Sequence, residues 1–342
     1  MSADKCALAI LGFGNIGSGT AELMRSGRER INSNAGREVT LKYILDVKFP
    51  EDSAFKEYFT NDFSVIENDS DVKVVVETIG GCGVAYDFTK RALNAGKNVV
   101  TSNKELVAEH GHELLTIAKE RNVNYLFEAS VGGGIPIIRT LIQCLAANEI
   151  TEVYGILNGT TNYILTKMSD DGVSYENALK EAQELGYAER DPSADVSGKD
   201  TCRKICILAA LAFGKQFDPG KVSVRGIENM DGLTVPPGSK IKLIGRAGKT
   251  ADGGISIYVA PHVIDKRNLL YTVDGVFNGI VVKGDAVGEV LFYGQGAGKM
   301  PTASAVVADV IDAVKHILTR KAIFWEDGSD TELAPPDALG DL

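Results

Sequence analysis

The chain has 342 residues, 44% hydrophobic and 24% charged, with 46 acidic against 36 basic side chains and a formal net charge of −10. That length favours two domains with cores large enough to need no disulfide or metal staple. The acidic balance argues against a nucleic-acid or anionic-membrane partner, since both need a basic footprint. No apolar run approaches the ~20 residues of a membrane span. Five cysteines (Cys6, Cys82, Cys144, Cys202 and Cys206), odd in number and widely spaced, read as reduced thiols. With no export-type leader, the expected compartment is the cytoplasm.

Through the first third, strand-length apolar runs alternate with amphipathic helix-length segments. Cys6–Leu11, Leu41–Leu45, Val72–Glu77, Asn98–Thr101 and Asn124–Glu128 read as strands, and Ile16–Ser26, Val84–Ala95 and Leu106–Glu120 as helices. This alternation predicts a doubly wound parallel sheet with ligands at the carboxyl ends of its strands. From about Ile135 the rhythm changes. Helices are expected at Pro136–Ala147, Asn162–Met168 and Cys202–Phe213, and strands at Ile150–Leu157, Ile255–Ile264, Val273–Asn278, Gly279–Val282 and Val290–Tyr293. Thr302–Leu318 reads as a closing helix. The expected organisation is α/β: a Rossmann-type domain over 1–135 with 301–320, a second, α+β domain over 136–300, and a flexible acidic tail over 327–342.

Gly12-Phe13-Gly14-Asn15-Ile16-Gly17 follows the first strand directly and opens a helix. This G-x-G-x-x-G stands in the context that makes it a dinucleotide fingerprint: a tight turn, a backbone bare enough for a pyrophosphate, and close helix–strand packing. Asp46 ends the second strand, where a carboxylate accepts the ribose hydroxyls and repels a 2′-phosphate. It lies beyond the usual spacing, and the polar stretch Gly27–Arg37 accounts for the excess as a lengthened helix or a loop. Lys48 nearby would instead favour a 2′-phosphate, so NAD is preferred to NADP without NADP being excluded.

The segment from Gly186 to Lys204 carries Glu189, Asp191, Asp195 and Asp200 into a helix that is apolar nearly all round after Lys204. Asp200 and Lys204 are four apart, in the favourable acid-before-base order. On a buried helix such charges must be paired or functional. Cys202 and Cys206 point roughly the other way and read as core thiols. The four histidines (His110, His112, His262 and His316) join no motif.

Here the chain resembles homoserine dehydrogenases. The resemblance rests on Gly186-Tyr-Ala-Glu-Arg-Asp-Pro-Ser-Ala-Asp195, Gly198-x-Asp-x-x-x-Lys204, Gly155-Ile-Leu-Asn-Gly-Thr-Thr-Asn162, Thr101-Ser-Asn-Lys104, Glu128-Ala-Ser-Val-Gly-Gly-Gly-Ile-Pro136 and Gly294-Gln-Gly-Ala-Gly298, over roughly residues 5–320. It implies NAD- or NADP-dependent interconversion of L-homoserine and L-aspartate 4-semialdehyde, in threonine, methionine and isoleucine biosynthesis. It makes Lys204 the acid/base, Asp200 its orienting partner and Lys104 a second catalytic lysine. Glu189, Asp195, Asn158, Gly159 and Thr160 would bind substrate. Thr78, Ser102, Lys104 and Gly298 would join residues 12–17, Asp46 and Lys48 at the cofactor. Glu128, Val131, Gly133 and Ile135 match a monovalent-cation site, usually sodium, although the same segment also reads as a hinge. The resemblance also makes 136–300 the substrate-binding and dimerisation domain of a homodimer. Many relatives continue into a C-terminal ACT domain, and with some twenty residues after the closing helix the expectation is that threonine inhibition through such a domain is absent. Two other readings are disfavoured: an acylating semialdehyde dehydrogenase, because Cys144 has no His nearby to activate it, and a nucleotide sensor without turnover, which would need no buried proton donor.

Overall fold

The computed structural model describes residues 5–342 apart from 49, 51, 229, 231–234 and 329. It divides into two compact units, Met1–Gly134 with Gly298–Phe324, and Ile135–Ala297 with Trp325–Leu342.

The first unit is built on a six-stranded parallel sheet: β1 (Lys5–Leu11), β2 (Glu38–Leu45), β3 (Phe59–Thr60), β4 (Val72–Glu77), β5 (Asn98–Thr101) and β6 (Tyr125–Leu126), in the order β3-β2-β1-β4-β5-β6. Every residue of β1 after Lys5 is buried, as a central parallel strand covered on both faces requires. Each of its large aliphatic side chains contributes roughly 1.5–3 kcal/mol by leaving water. The helices are α1 (Asn15–Ser26), α2 (Arg28–Ala35), α3 (Phe63–Asn68), α4 (Gly83–Asn94) and α5 (Lys104–Glu120). The polar stretch after α1 is thus a separate helix, broken from α1 at Gly27 and ended by left-handed Gly36. The strand order reverses between β1 and β4, which defines the switch point where doubly wound sheets bind ligands.

The second unit holds a mixed sheet: β7 (Ile150–Ile156), β8 (Ser223–Val224), β9 (Lys240–Lys249), β10 (Ile255–Ile264), β11 (Phe277–Gly284) and β12 (Gly288–Gln295), in the order β12-β11-β7-β9-β10-β8. Its helices are α6 (Gly159–Asp171), α7 (Tyr175–Glu184), α8 (Ser193–Val196) and α9 (Lys199–Phe213). Gly245 of β9 sits beneath α9, where an added Cβ would lie 2.9 Å from Thr201 and 3.2 Å from Ile205. The opposite sheet face carries the apolar cluster Tyr154, Ile156, Ile244, Ile264 and Val281. The last helix, α10 (Lys299–Lys315), belongs to the first unit and packs on α1, β4 and β5.

Three expectations need correction. Pro136–Ala147 yields only a π-wound segment, Thr140–Cys144, because the Thr140 hydroxyl takes the Pro136 carbonyl and Leu145 N bonds Thr140 O. Val273–Asn278 is not a strand. The Val273 carbonyl is used by Lys242 and Asn162, Gly275 turns the chain at φ +63, and β11 begins only at Phe277. The tail expected to be flexible over 327–342 is laid against the second sheet, residue 329 lying outside the described residues. Arg246 Nη1 donates to Gly340 O at 2.8 Å, Ser256 Oγ to Pro335 O at 3.1 Å and Ala334 N to Ile255 O at 2.8 Å. Its polar side chains conceal this because its backbone makes the bonds.

Candidate active site

The glycine loop joins β1 to α1. Gly12 has φ +88, which a side chain would strain, and a Cβ on Gly17 would fall 1.9 Å from Gly12 O. Around Gly14 nothing lies within 4 Å of a Cβ position, so the backbone there is bare on the side a pyrophosphate needs. Phe13 N donates to Asp46 Oδ2 at 2.6 Å, tying the loop to the end of β2, and Lys48 N donates to Asp46 Oδ1 at 3.1 Å. The Thr78 hydroxyl fastens the end of β4 to the same loop through Leu11 O and Gly12 O, at 3.0 and 2.9 Å. A cavity of about 580 Å³ lined by Gly12, Gly14, Asp46, Asn61, Thr78 and Phe88 opens here. Asn15 and Ile16 begin α1, while Lys48 is exposed and Ser102 half-buried. The residues fit the adenosine and pyrophosphate portions of a dinucleotide: a bare loop, a helix N-terminus and an acceptor-only carboxylate at one rim.

Sequence reasoning missed the buried carboxylate beside this loop. Glu77 ends β4 with no exposure, accepting from Ile79 N at 2.7 Å, Gly80 N at 3.2 Å and the Thr101 hydroxyl at 2.6 Å. Burial pushes its pKa up, opposed by those donors. A charged residue closing the apolar run Val74–Val76 was the available signal. Lys104 is the first residue of α5, capped by Asn103, whose Oδ1 accepts from Leu106 N at 3.1 Å. The helix dipole by itself disfavours a cation at this end.

In the second unit, α9 is framed by left-handed Gly198 and Gly214 and buries ten of its residues. Asp200 and Lys204 are only 3% and 7% exposed. Lys204 Nζ lies 2.9 Å from Asp200 Oδ2 and donates to Leu157 O at 2.7 Å. Asn158, the cap of α6, accepts from Thr161 N at 2.8 Å and donates to Asp195 Oδ1 at 2.7 Å and Asp200 Oδ2 at 2.9 Å. One carboxamide therefore ties together two carboxylates and, through Asp200, the ammonium. Gly159 is packed so that a Cβ would lie 2.6 Å from Val276 O, and the Thr160 hydroxyl donates to Tyr187 O at 2.5 Å. Glu189 is exposed on the following loop and takes part in none of these bonds.

Glu128 is buried on a short 3-10 turn, its backbone N–H donating to Asp309 at 2.8 Å; Val131 and Gly133 follow, also buried, Gly133 at φ +55. Ile135 opens the second unit and Gly298 caps α10 in the first. Cys202 and Cys206 are buried and share a hydrogen bond that lowers the pKa of the first and raises that of the second. Cys144 is exposed. His110 packs on Tyr86, His112 on Phe324 and His262 on Tyr258, and His316 pairs with Asp312.

A glycine-loop dinucleotide site on one unit, with a buried carboxylate–ammonium pair on the other, defines an NAD(P)-dependent oxidoreductase. Comparison with known proteins gives the family. The family profile "Homoserine dehydrogenase, NAD binding domain" matches residues 12–128, and "Homoserine dehydrogenase" matches residues 136–311. The chain is 42% identical over 317 residues to a homoserine dehydrogenase of Neisseria gonorrhoeae, covering 91% of this chain and 72% of that protein. Among solved structures, a homoserine dehydrogenase from Thiobacillus denitrificans superposes with a TM-score of 0.85 at 40% identity, covering 91% of this chain and 73% of that one. A hyperthermophilic archaeal homoserine dehydrogenase in complex with NADPH superposes at 0.77 and 29% identity, covering 90% and 97%. The chain belongs to the homoserine dehydrogenase family.

Proposed function

We propose that the chain interconverts L-homoserine and L-aspartate 4-semialdehyde with a nicotinamide dinucleotide. The observation that carries this reading, beside family membership, is the buried Asp200–Lys204 pair bridged by Asn158 to Asp195. When bound, the dinucleotide accepts or delivers the hydride. Lys204 Nζ gives a proton to the oxygen as the carbonyl becomes an alcohol, and takes it back in the reverse direction. Asp200 and Leu157 O orient that ammonium. Asp195 and Glu189 are the carboxylates for the substrate's amino group, with Asn158, Gly159 and Thr160 on the same helix end, and Lys104 adds a second cation for the reacting end.

The cofactor residues of this reading are Gly12, Phe13, Gly14, Asn15, Ile16, Gly17, Asp46, Lys48, Thr78, Ser102, Lys104 and Gly298. NAD is preferred to NADP because Asp46 lines the cavity, where a carboxylate accepts the ribose hydroxyls and repels a 2′-phosphate. A sodium ion would take a carboxylate oxygen from Glu128 and backbone oxygens from Val131, Gly133 and Ile135, a donor set suited to a hard cation. A homodimer through the second sheet is part of the proposal; Phe277 stacks there on Tyr293, a large hydrophobic side chain left 53% exposed. No helix of the described residues is long and apolar enough to cross a membrane; cytoplasmic residence is part of the proposal.

The test is steady-state oxidation of L-homoserine with NAD and with NADP, at alkaline pH with sodium or potassium present. Turnover with either cofactor supports the reading. Dinucleotide binding without homoserine oxidation would point to a sensor.

A further inference from the structure

The end of β4 and the end of β5 are joined by a closed circuit of hydrogen bonds. Glu77 Oε1 accepts from Ile79 N and Gly80 N, and Oε2 from the Thr101 hydroxyl. Thr101 Oγ1 also accepts from Asn103 N at 2.9 Å. Asn103 Nδ2 returns to Gly81 O at 2.7 Å, closing the loop that Gly80 and Gly81 turn at φ +86 and +68. The two loop N–H groups can only donate and the Thr101 hydroxyl donates in this arrangement, a set that satisfies a carboxylate although burial pushes its pKa up. A carboxylate here is held out of water, a costly placement that these donors offset only in part.

Its location suggests the reason. Asp46 at the end of β2 takes the adenosine ribose, so the other half of a dinucleotide crosses β4 and β5 from the switch point. Above the carboxylate, Ile79 is 40% exposed and Gly80 is exposed. Lys104 follows Asn103 directly.

We propose that Glu77 is a positioning residue for the nicotinamide half of the cofactor: it sets the 78–81 loop and, through Thr101 and Asn103, the start of α5, and its negative charge favours the oxidised, cationic ring over the reduced, neutral one. This rests on the dinucleotide site proposed above. No residue of the predicted set performs this task.

The experiment is calorimetric titration of wild type, Glu77→Gln and Thr101→Val with NAD+ and with NADH, folding being checked by circular dichroism. Glu77→Gln keeps the shape but loses the charge and one acceptor. It is expected to weaken NAD+ roughly ten- to hundredfold and NADH distinctly less. Thr101→Val cuts the circuit but keeps the charge, and is expected to weaken both forms together. Should Glu77→Gln fail to fold, Thr101→Val carries the positioning half alone. Binding of both forms within twofold of wild type by either folded variant overturns the positioning role, and equal weakening of NAD+ and NADH in Glu77→Gln overturns the charge role. Wild type that binds neither form removes the underlying dinucleotide site itself, a failure distinct from the other two.

Discussion

Asp200 and Lys204 meet at 2.9 Å on successive turns of a helix that buries ten of its residues. Lys204→Met is expected to lower kcat for homoserine by about 10²–10⁴ while leaving nucleotide affinity nearly intact, because the glycine loop and Asp46 belong to the other unit. The variant leaves Asp200 buried without its ammonium, a cost of roughly 3–5 kcal/mol, so kinetics belong well below its melting temperature. Comparing kcat with a calorimetric cofactor titration checks this, and equal loss of both would remove Lys204 from the chemistry.

Asn158 bridges Asp195 and Asp200 with one amide while capping α6. Asn158→Asp keeps the cap acceptor but puts a third carboxylate where two already meet. A drop in kcat/KM for homoserine of at least about tenfold is expected, with the cofactor constant unchanged. Asn158→Ala removes the cap as well and should cost about 1 kcal/mol more in stability, read from denaturant midpoints.

Asp46 both receives Phe13 N and lines the cavity. Asp46→Ser is expected to lower kcat/KM with NAD about tenfold and NADP distinctly less, as the repulsion of a 2′-phosphate disappears. A cofactor ratio unmoved from wild type would show that Asp46 merely ends a strand.

His262 on β10 is pushed below its ordinary value of 6.5, first by burial and then by the charge of Arg246. As pH falls through 6.5 the unfolded chain takes up a proton that the folded one resists, so this residue removes stability on the acid side. Above 6.5 both states hold it neutral and it contributes no slope. Thermal midpoints between pH 5 and 8 should therefore fall less steeply on the acid side in His262→Gln. Superimposable profiles for wild type and variant would exclude the effect.

The elements legible in the sequence were those where one physical demand dominates. The apolar run Cys6–Leu11 of β1, the three-glycine loop after it and the buried run of α9 could hardly be read otherwise. Asp200 and Lys204 were found because charges on an apolar helix need a partner. The strand β9 escaped notice because Lys242 and Arg246 interrupt its apolar pattern; both are buried, Lys242 being held by Asp274, Asn162 and Val273 O, and Arg246 by Glu152. The helix α7 was missed because its sequence is mostly polar, with only Ala178 and Ala182 buried. Glu77 went unread for a different reason: its meaning lies in Thr101 and the loop amides, contacts that no local spacing reveals.

The helix α10 lies so close to α1 that a Cβ on Gly19 would come within 3.2 Å of Ala303. Yet α10 is separated from the rest of its unit by the whole stretch Ile135–Ala297. On a ribosome moving at roughly 5–20 residues per second, the sheet of the first unit waits on the order of ten to forty seconds for its last cover. During that interval the apolar surfaces of α1, β4 and β5 that α10 later shields are open to other chains. A nascent-chain binding factor would find its target there, and a fragment ending at residue 134 would inherit the same exposed surface permanently.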